Sequence, residues 1–373
     1  MTLPGKTAAA VLAIVWLVTN PAFAQVPAAT NRQEPLKPLQ VPAKCEKKDK
    51  VKLANTGFVL IFLGSQLAKS SGIFERLCLE VELINTNTGT EGLLSKHVDF
   101  IESNAMEPVK THAVGKSLLM VAPMTSCYTN SLVVRKEVVE KYKLTRNSPL
   151  KDRLAALKDL RIGLTNLGAG AGLWVLLLLD EAGLSAKDAK LFQLDNAPGM
   201  MAAFRTGQID ALSSGSPPGE LLESEGLGYR LITGPGGDFP GFGPDSKFPY
   251  TAITTTREYA QANPDIVLRM TAAFMWANTQ IQEDREQVRK IGRKTMFPNL
   301  PEPVYREAFD FTYPCFARPT DRFTQAAFDK TVRIGNLGRR AAGLPPVTNI
   351  KMEDTMTNRF LEAAAPAVSA LQP

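Results

Sequence analysis

The chain has 373 residues, a formal net charge of +6 and 21% charged residues. Apart from a run at 44–50, its positive charges are dispersed and are not interleaved with aromatic residues, which argues against a nucleic-acid-binding protein. A single hydrophobic core rarely extends over so many residues, so we expect two lobes.

The first 24 residues are typical of a secretory signal peptide. Lys6 supplies a positive start, residues 8–18 form an unbroken apolar run, and Ala22-Phe23-Ala24 has the small-x-small pattern of a cleavage site. The apolar run is shorter than the roughly 20 residues that a membrane span requires. We therefore predict cleavage after Ala24 and a soluble, extracytoplasmic mature protein.

Regular structure is expected to begin near residue 49. Residues 25–48 hold four prolines among polar residues and are predicted to form an extended leader. From there the periodicity of apolar residues alternates between that of strands and that of helices. The predicted elements of the first half are strands at 52–55, 79–84, 98–101 and 117–122, helices at 60–70 and around 93–94, and loops at 56–58, 85–89 and 103–105.

The second half repeats this plan. Gly183 follows an apolar helical segment as a typical helix stop, and Gly207 does the same for the next helix. The predicted elements here are strands at 161–164, 191–194, 209–212 and 229–232, helices at 172–182 and 200–205, and loops at 165–170, 195–198 and 213–218. Further helices are expected within 257–315, especially 266–281, and at 326–337.

The two halves match in detail. Residues 94–99 correspond to residues 205–210, and each segment ends on an aspartate, Asp99 or Asp210. Both aspartates are expected to end a short strand and to bond nearby backbone rather than to act as a catalytic pair. Because the pattern occurs only twice, it indicates two related α/β lobes rather than a solenoid.

Two further segments, at 131–137 and 251–259, also resemble each other and read as extended stretches between the lobes. If the chain crosses at about 129–135 and returns at about 250–255, the first lobe is discontinuous and the crossovers form a hinge. We predict lobe 1 from 49–129 plus 255–373 and lobe 2 from 130–254.

Four cysteines lie beyond the signal segment: Cys45, Cys78, Cys127 and Cys315. An exported chain can oxidise them, and four cysteines allow three pairings. Cys45 and Cys78 each precede a predicted strand, so they meet at one sheet edge if those strands are parallel neighbours. This favours a Cys45–Cys78 bridge and leaves the other two cysteines paired or free.

Polar loops that follow strands and precede helices are the candidate ligand-binding segments, because they present backbone N–H groups at the positive end of a helix dipole. The best cradle is the loop from Thr165 to Gly170, which lacks the lysine of a nucleotide P-loop. The candidate binding residues are Thr56, Gly57, Phe58, Ser103, Asn104, Thr165, Asn166, Gly168, Ala169, Gly170, Asn196, Ser214 and Ser216.

Catalytic and metal sites are not indicated. The two histidines, His97 and His112, are 15 residues apart, and the chain has no CxxC or HExxH motif. No Gly-x-Ser-x-Gly nucleophile elbow occurs either. We therefore expect no catalytic residue, no metal and no cofactor.

Six segments carry a family resemblance: LEVELI at 79–84, SLVVRK at 131–136, LKDLRIG at 157–163, AGLSAKD at 182–188, GQIDA at 207–211 and NRFL at 358–361. In order and spacing they resemble the nitrate, sulfonate, taurine and thiamine-precursor type of periplasmic solute-binding protein of ABC importers. The likeness covers roughly residues 50–362. It departs at Lys96-His97-Val98-Asp99, which lacks the glycine of the second-half motif, and around Cys127.

The resemblance implies an α/β, two-lobe periplasmic binding protein of type II-like architecture, with two hinge crossovers and a ligand cleft between the lobes. The implied function is capture of a small anionic or planar organic solute in the periplasm and its delivery to an ABC permease and its ATPase. We expect a monomer without enzymatic activity. The alternatives are a ligand sensor that docks on a membrane receptor and an enzyme like those of thiamine-pyrimidine synthesis.

Overall fold

A computed structural model describes residues 35–55, 59–194 and 196–371. The predicted signal segment and residues 25–34 of the predicted leader lie outside these ranges. The strands are β1 (Asp49–Asn55), β2 (Leu79–Asn85), β3 (Phe100–Asn104), β4 (Leu118–Thr125), β5 (Ser131–Arg135), β6 (Arg161–Leu164), β7 (Lys190–Gln193), β8 (Ala211–Ser214), β9 (Gly228–Thr233) and β10 (Thr251–Thr256).

The α-helices alternate with the strands along the chain, and seven further α-helices follow β10 in the part of the chain that the structure describes. They are α1 (Leu63–Ser70), α2 (Ile73–Arg76), α3 (Gly89–Leu94), α4 (Glu107–His112), α5 (Lys136–Lys141), α6 (Leu150–Ala155), α7 (Gly170–Glu181), α8 (Ala197–Arg205), α9 (Pro218–Ser224), α10 (Arg257–Ala262), α11 (Pro264–Glu283), α12 (Arg285–Met296), α13 (Glu302–Thr312), α14 (Gln325–Ala341), α15 (Met352–Thr355) and α16 (Arg359–Val368). Among the residues described, no helix is long and apolar enough to cross a membrane.

The strands form two five-stranded mixed sheets of matching topology. The first sheet has the order β2-β1-β3-β10-β4 and the second has the order β7-β6-β8-β5-β9. In each sheet four strands run in one direction and one strand, β10 in the first sheet and β5 in the second, is inserted antiparallel to both of its neighbours. The first sheet contains β1–β4 and the returning strand β10, and the second contains β5–β9. This confirms the predicted α/β fold with two related halves.

The chain passes between the sheets twice, from β4 to β5 and from β9 back to β10. Residues 126–130 and 234–250 are therefore the connecting segments. The C-terminal helices contact elements of both halves, since α14 packs against α4 and α7 and α13 packs against α9. The predicted lobe boundaries at 129/130 and 254/255 stay a proposal. The first lies in the connection between β4 and β5, whereas the second falls inside β10, a strand of the first sheet.

Asp99 and Asp210 occupy equivalent positions in the two halves. The Oδ2 atom of Asp99 accepts a hydrogen bond from the N–H of Lys52 at 2.8 Å, and Oδ2 of Asp210 accepts one from the N–H of Arg161 at 2.9 Å. The N–H of each aspartate also donates to the carbonyl of that same partner. The expected bonding to backbone is thus confirmed, and it fastens the neighbouring parallel strand.

The predicted position of both aspartates within their strands was wrong. They precede β3 and β8, which begin at Phe100 and Ala211, because their side chains bond the adjacent strand before regular pairing starts. The strands consequently end later than predicted. The residues 103–104 and 213–214, which were predicted as loops, are the last residues of these strands.

Helix α7 also begins two residues before its predicted start. Helix α8 begins at Ala197 rather than at residue 200, because the Oδ1 atom of Asn196 caps it by accepting the N–H of Gly199 at 2.9 Å. Pro198 lies in the first turn of α8, where the missing N–H of proline is harmless.

Both disulfides form among the described residues. Cys45–Cys78 joins the segment before β1 to the start of β2, and β1 and β2 are the parallel neighbours that this pairing required. Cys127–Cys315 ties the first connecting segment to the short 3-10 turn that follows α13. The favoured first pairing is confirmed, and the other two cysteines are paired rather than free.

We predict that the double substitution Cys45→Ala/Cys78→Ala lowers the free energy of unfolding by about 2–4 kcal/mol. The bridge closes a segment of 33 residues, so its loss gives the unfolded chain more conformational freedom. Urea unfolding of the oxidised protein measures the effect, and Cys45→Ser/Cys78→Ser separates loss of the bridge from a change of side-chain polarity. Equal stability of wild type and both variants would contradict the prediction.

Candidate functional site

A cavity of about 560 Å³ lies between the two sheets and is lined by residues at the carboxyl ends of their strands. We call it the cleft. The first sheet contributes the ends of β1 and β3, and the second contributes the residues that follow β6 and β7 and the end of β8. Carboxyl ends of parallel strands, with helix starts beside them, are the usual place for a ligand in α/β proteins.

On the first-sheet side, Glu102 of β3 lines the cleft with a side chain that is only 5% exposed. Its Oε2 atom accepts hydrogen bonds from Asn55 Nδ2 at 2.5 Å and from Ser65 Oγ at 3.0 Å. Its Oε1 atom has no hydrogen-bond partner among the described residues. Burial raises the pKa of the Glu102 carboxyl to about 8, although the two hydrogen bonds oppose that rise.

Ser103 and Asn104 line the cleft next to Glu102, and their side chains also serve the local fold. The hydroxyl of Ser103 donates to Oγ1 of Thr254 on the adjacent strand at 3.0 Å. The Oδ1 atom of Asn104 accepts the N–H of Met106 at 3.1 Å, which turns the chain into α4. A solute would therefore find the amide NH₂ of Asn104 still able to donate.

On the second-sheet side, the cleft is lined by the loop after β6 and the start of α7, including Thr165, Asn166 and Gly170. The Oδ1 atom of Asn166 accepts the N–H of Ala169 at 2.6 Å, which shapes the loop. Ala169 is the N-cap residue of α7 and makes no side-chain capping bond. The first turn of this 12-residue helix therefore has backbone N–H groups that no side-chain cap satisfies, and Gly170 and Ala171 of that turn line the cleft.

Two tyrosines from the connecting segments support the start of α7. The hydroxyl of Tyr128 donates to the carbonyl oxygen of Gly170 at 2.7 Å, and the ring of Tyr128 stacks on that of Tyr250 at 4.1 Å. The hydroxyl of Tyr250 donates to Oδ1 of Asn130 at 2.7 Å. Burial raises the pKa of both phenols well above the usual value, so both remain neutral hydrogen-bond donors.

We predict that Gly170→Ala lowers the free energy of unfolding by about 1–3 kcal/mol. A Cβ atom at this position would lie 2.0 Å from the hydroxyl oxygen of Tyr250, so the tyrosine or the start of α7 must shift. Gly92→Ala is the matched control, because a Cβ atom there meets Val98 at an ordinary 3.5 Å inside α3. Urea unfolding that ranks Gly170→Ala equal to or above Gly92→Ala in stability would contradict the prediction.

The structure brings most of the predicted binding residues together. Those that line the cleft are Ser103, Asn104, Thr165, Asn166, Ala169, Gly170, Asn196 and Ser214. Thr56, Gly57 and Phe58 lie outside the described residues, so their predicted role keeps the status of a prediction.

Gly168 and Ser216 do not line the cleft. Gly168 lies in the loop after β6, where an added Cβ atom would stand 3.7 Å from Nζ of Lys110. Ser216 is buried, and its hydroxyl donates to Oε1 of Glu220 at 2.8 Å, so it serves the packing of α9. Its position after a strand suggested a ligand contact, and that signal cannot reveal a buried carboxylate partner.

Sequence reasoning missed several residues of the cleft, chiefly Asn55, Glu102, Glu107, Lys110 and Tyr250. A signal was available for Glu102, since a carboxylate directly after Phe100-Ile101 in a buried strand is unusual. Tyr250 precedes the returning strand β10, and nothing in the sequence shows that it meets Gly170.

Both histidines, His97 and His112, lie outside the cleft. Nδ1 of His97 is 2.8 Å from the hydroxyl of Ser95, Nε2 of His112 is 3.0 Å from the carbonyl of Asn349, and neither ring lines the cleft. Within the described ranges, no group of three or more His, Cys, Asp or Glu residues could hold a metal ion.

The sequence model of the NMT1-like family matches residues 49–293. No match was found among curated proteins.

Solved structures share the fold at low sequence identity. The periplasmic nitrate-binding protein NrtA from Synechocystis PCC 6803 is 16% identical with a TM-score of 0.69, covering 87% of this chain and 91% of its own. The periplasmic aliphatic sulphonate binding protein SsuA from Escherichia coli is 20% identical with a TM-score of 0.63, covering 84% of this chain and 99% of its own. The desulfurization enzyme DSZB is 14% identical with a TM-score of 0.58, covering 86% of this chain and 99% of its own.

Proposed function

The chain belongs to the NMT1-like family, and from this premise we propose that it is a solute-binding receptor of an ABC-type importer. It would work in the periplasm after removal of residues 1–24. A small anionic or planar organic solute would bind in the cleft, and the loaded receptor would deliver it to a membrane permease and its ATPase. We further propose that the receptor is a monomer and not an enzyme.

One observation carries the proposal: a cavity of about 560 Å³ is lined by strand ends of both sheets. A ligand that contacts both walls binds the closed arrangement better than an open one, and it shifts the population by that difference in affinity. Side-chain amides and hydroxyls are the commonest polar groups of the described lining, and such groups suit binding and release of an unaltered solute.

The two connecting segments fit a hinge. They are the links at 126–130 and 234–250 between the sheets, and residues Asn130 and Tyr250 at their ends line the cleft. A solute that touches these residues therefore contacts the segments that must bend during closure. A permease can then distinguish the closed, loaded receptor from the open one by its shape.

Thermal melting of the purified protein against nitrate, alkanesulfonates, carboxylates and pyrimidines tests the proposal. A solute at 100 times its dissociation constant should stabilise the protein by about 2.7 kcal/mol, which gives a clear rise in Tm. Asn166→Ala should reduce that rise because it removes the side chain that shapes the loop before α7. Absence of any shift, with each solute present at 10 mM, would contradict the proposal.

Two other functions make different predictions. A sensor would bind the same solute but would associate with a membrane receptor rather than with a permease. Permease and ATPase genes beside the gene for this protein would favour the transport function over the sensor. The fold also occurs in DSZB, which is named as an enzyme. Turnover of a bound solute, followed by mass spectrometry, would favour the enzyme; a solute recovered unchanged favours the receptor.

A further inference from the structure

Carboxylates outnumber basic groups in the described lining of the cleft. Glu91, Glu102 and Glu107 line it, and Lys110 is the basic side chain among them. Nζ of Lys110 is already 3.6 Å from Oε2 of Glu107. Within the described part of the chain, the lining has no arginine or histidine that could neutralise an anionic solute.

Glu102 is the most deeply placed of these carboxylates. Its side chain is 5% exposed, compared with 8% for Glu107 and an exposed Glu91. Asn55 on β1 and Ser65 on α1 both bond the Oε2 atom, which fixes the carboxyl group in one orientation. The other oxygen, Oε1, is left without a partner among the described residues.

An unpartnered buried carboxyl oxygen is costly unless a ligand supplies a donor for it. The residues that pair with or donate to Glu102 are uncharged: Ile253 of β10 is its strand partner, and Asn55 and Ser65 donate to its Oε2 atom. The other charged residues of the described lining are Glu91, Glu107 and Lys110. A cationic donor on the solute would therefore complete a site that the protein leaves incomplete.

We propose that Glu102 determines the specificity of the cleft by accepting a hydrogen bond from a protonated amino group of the solute. This rests on the proposed function and narrows its solute class to amine-bearing organic molecules, as opposed to inorganic anions such as nitrate. In the empty protein Glu102 is protonated at neutral pH, since burial raises the pKa of its carboxyl to about 8. When the ammonium group arrives, the carboxyl proton leaves to solvent and an ammonium–carboxylate pair remains.

Proton release has a measurable consequence. Below pH 8, the affinity for an amine-bearing solute should rise about tenfold per pH unit, because each unit raises the ionised fraction of Glu102 tenfold. At pH 7, binding should release close to one proton. An inorganic anion would bind with nearly constant affinity below pH 8 and would lose affinity above it, since an ionised Glu102 repels it.

Two matched pairs of probes test the proposal by isothermal titration: 2-aminoethanesulfonate against ethanesulfonate, and 4-(aminomethyl)pyrimidine against 4-methylpyrimidine. Nitrate serves as the inorganic anion. For at least one pair we expect the amine-bearing member to bind ten times more tightly or better. Titration in buffers of different ionisation enthalpy counts the released proton.

Glu102→Gln is the test variant, because its amide oxygen can still accept from Asn55 and Ser65 and preserve the local structure. It should lose the preference for the amine and the proton release. Glu82→Gln on β2 is the control, since it removes one exposed carboxylate that does not line the cleft. This control should bind as the wild type does.

Binding of nitrate or the amine-free probes alone would overturn this inference and leave the proposed receptor function standing. An amine preference that survives in Glu102→Gln would also overturn it, because another group would then hold the nitrogen. Absence of binding by every probe at 10 mM would count against the proposed function itself, and the inference would fail with it.

Discussion

Arg230→Ala is expected to lower the free energy of unfolding by about 3–5 kcal/mol. Arg230 on β9 is 2% exposed and bonds three carboxylates: Oε1 of Glu220 at 2.6 Å, Oε2 of Glu223 at 2.5 Å, and Glu307 of α13. Its guanidinium carbon also lies 4.4 Å from the ring centroid of Phe311. Alanine would leave the buried Glu220 and the partly buried Glu223 without their shared cation.

Arg230 influences the pKa values of both Glu220 and Glu223. Burial raises the pKa of Glu220 above its usual value, although the charge of Arg230 opposes this. Burial also raises the pKa of Glu223, but bonds and charges from Arg146 and Arg230 lower it by more, so its pKa is below the usual range. Without Arg230, Glu220 must take up a proton or remain an unpaired buried charge.

Arg146→Ala is the matched control. Arg146 bonds the same Glu223 but is half exposed, so its loss should cost no more than about 1 kcal/mol. Urea unfolding at pH 7 compares both variants with the wild type. Similar losses for Arg146→Ala and Arg230→Ala would show that burial of the network contributes nothing.

The network also explains a part of the fold that the sequence left open. Residues 302–312 read only as helical, and the predicted boundaries place them in the first lobe. Glu307 and Phe311 of this helix nevertheless contact Arg230, which lies in the second sheet. A contact between residues 77 positions apart has no local signal, because it depends on how two separately predicted elements pack.

Local sequence patterns predicted the strands of both sheets well. Alternating residues such as those of β2, and the repeated aspartates Asp99 and Asp210, encode strands and their parallel neighbours within short segments. From the likeness of residues 131–137 and 251–259, the sequence also predicted a crossing near 129–135 and a return near 250–255, and β10 does rejoin the first sheet after β5 to β9 have formed the second. Boundaries were less accurate, because the bonds of the aspartates decide where β3 and β8 begin.

The cleft was predicted only in part, because some of its residues owe their burial to distant segments of the chain. Loops before helix starts are visible in the sequence, so Thr165, Asn166 and Gly170 were found. Glu102 was missed because its burial results from Asn55 and Ser65 on two other elements. A residue whose burial depends on distant neighbours can be recognised only once the folded structure is known.

Glu102 also makes the stability of the protein depend on pH, and Glu102→Gln should remove this dependence. The pKa of Glu102 is about 8 in the folded protein, above its ordinary value of 4.5, so the folded form binds the proton more tightly. The stability that this contributes is fully present below the unfolded pKa and is lost as the pH rises towards 8. The loss is about 1.4 kcal/mol per pH unit within that window, which amounts to a few kcal/mol.

Glutamine carries no titrating proton, so the free energy of unfolding of Glu102→Gln relative to wild type should increase steadily from pH 5 to pH 8 and then level off. Urea unfolding at pH 5, 6, 7, 8 and 9 measures this difference, in which the other titrating groups cancel. The exposed Glu82→Gln should differ from wild type by no more than about 0.5 kcal/mol at every pH. A difference for Glu102→Gln that stays constant from pH 5 to pH 9 would mean that the folded protein holds Glu102 ionised throughout.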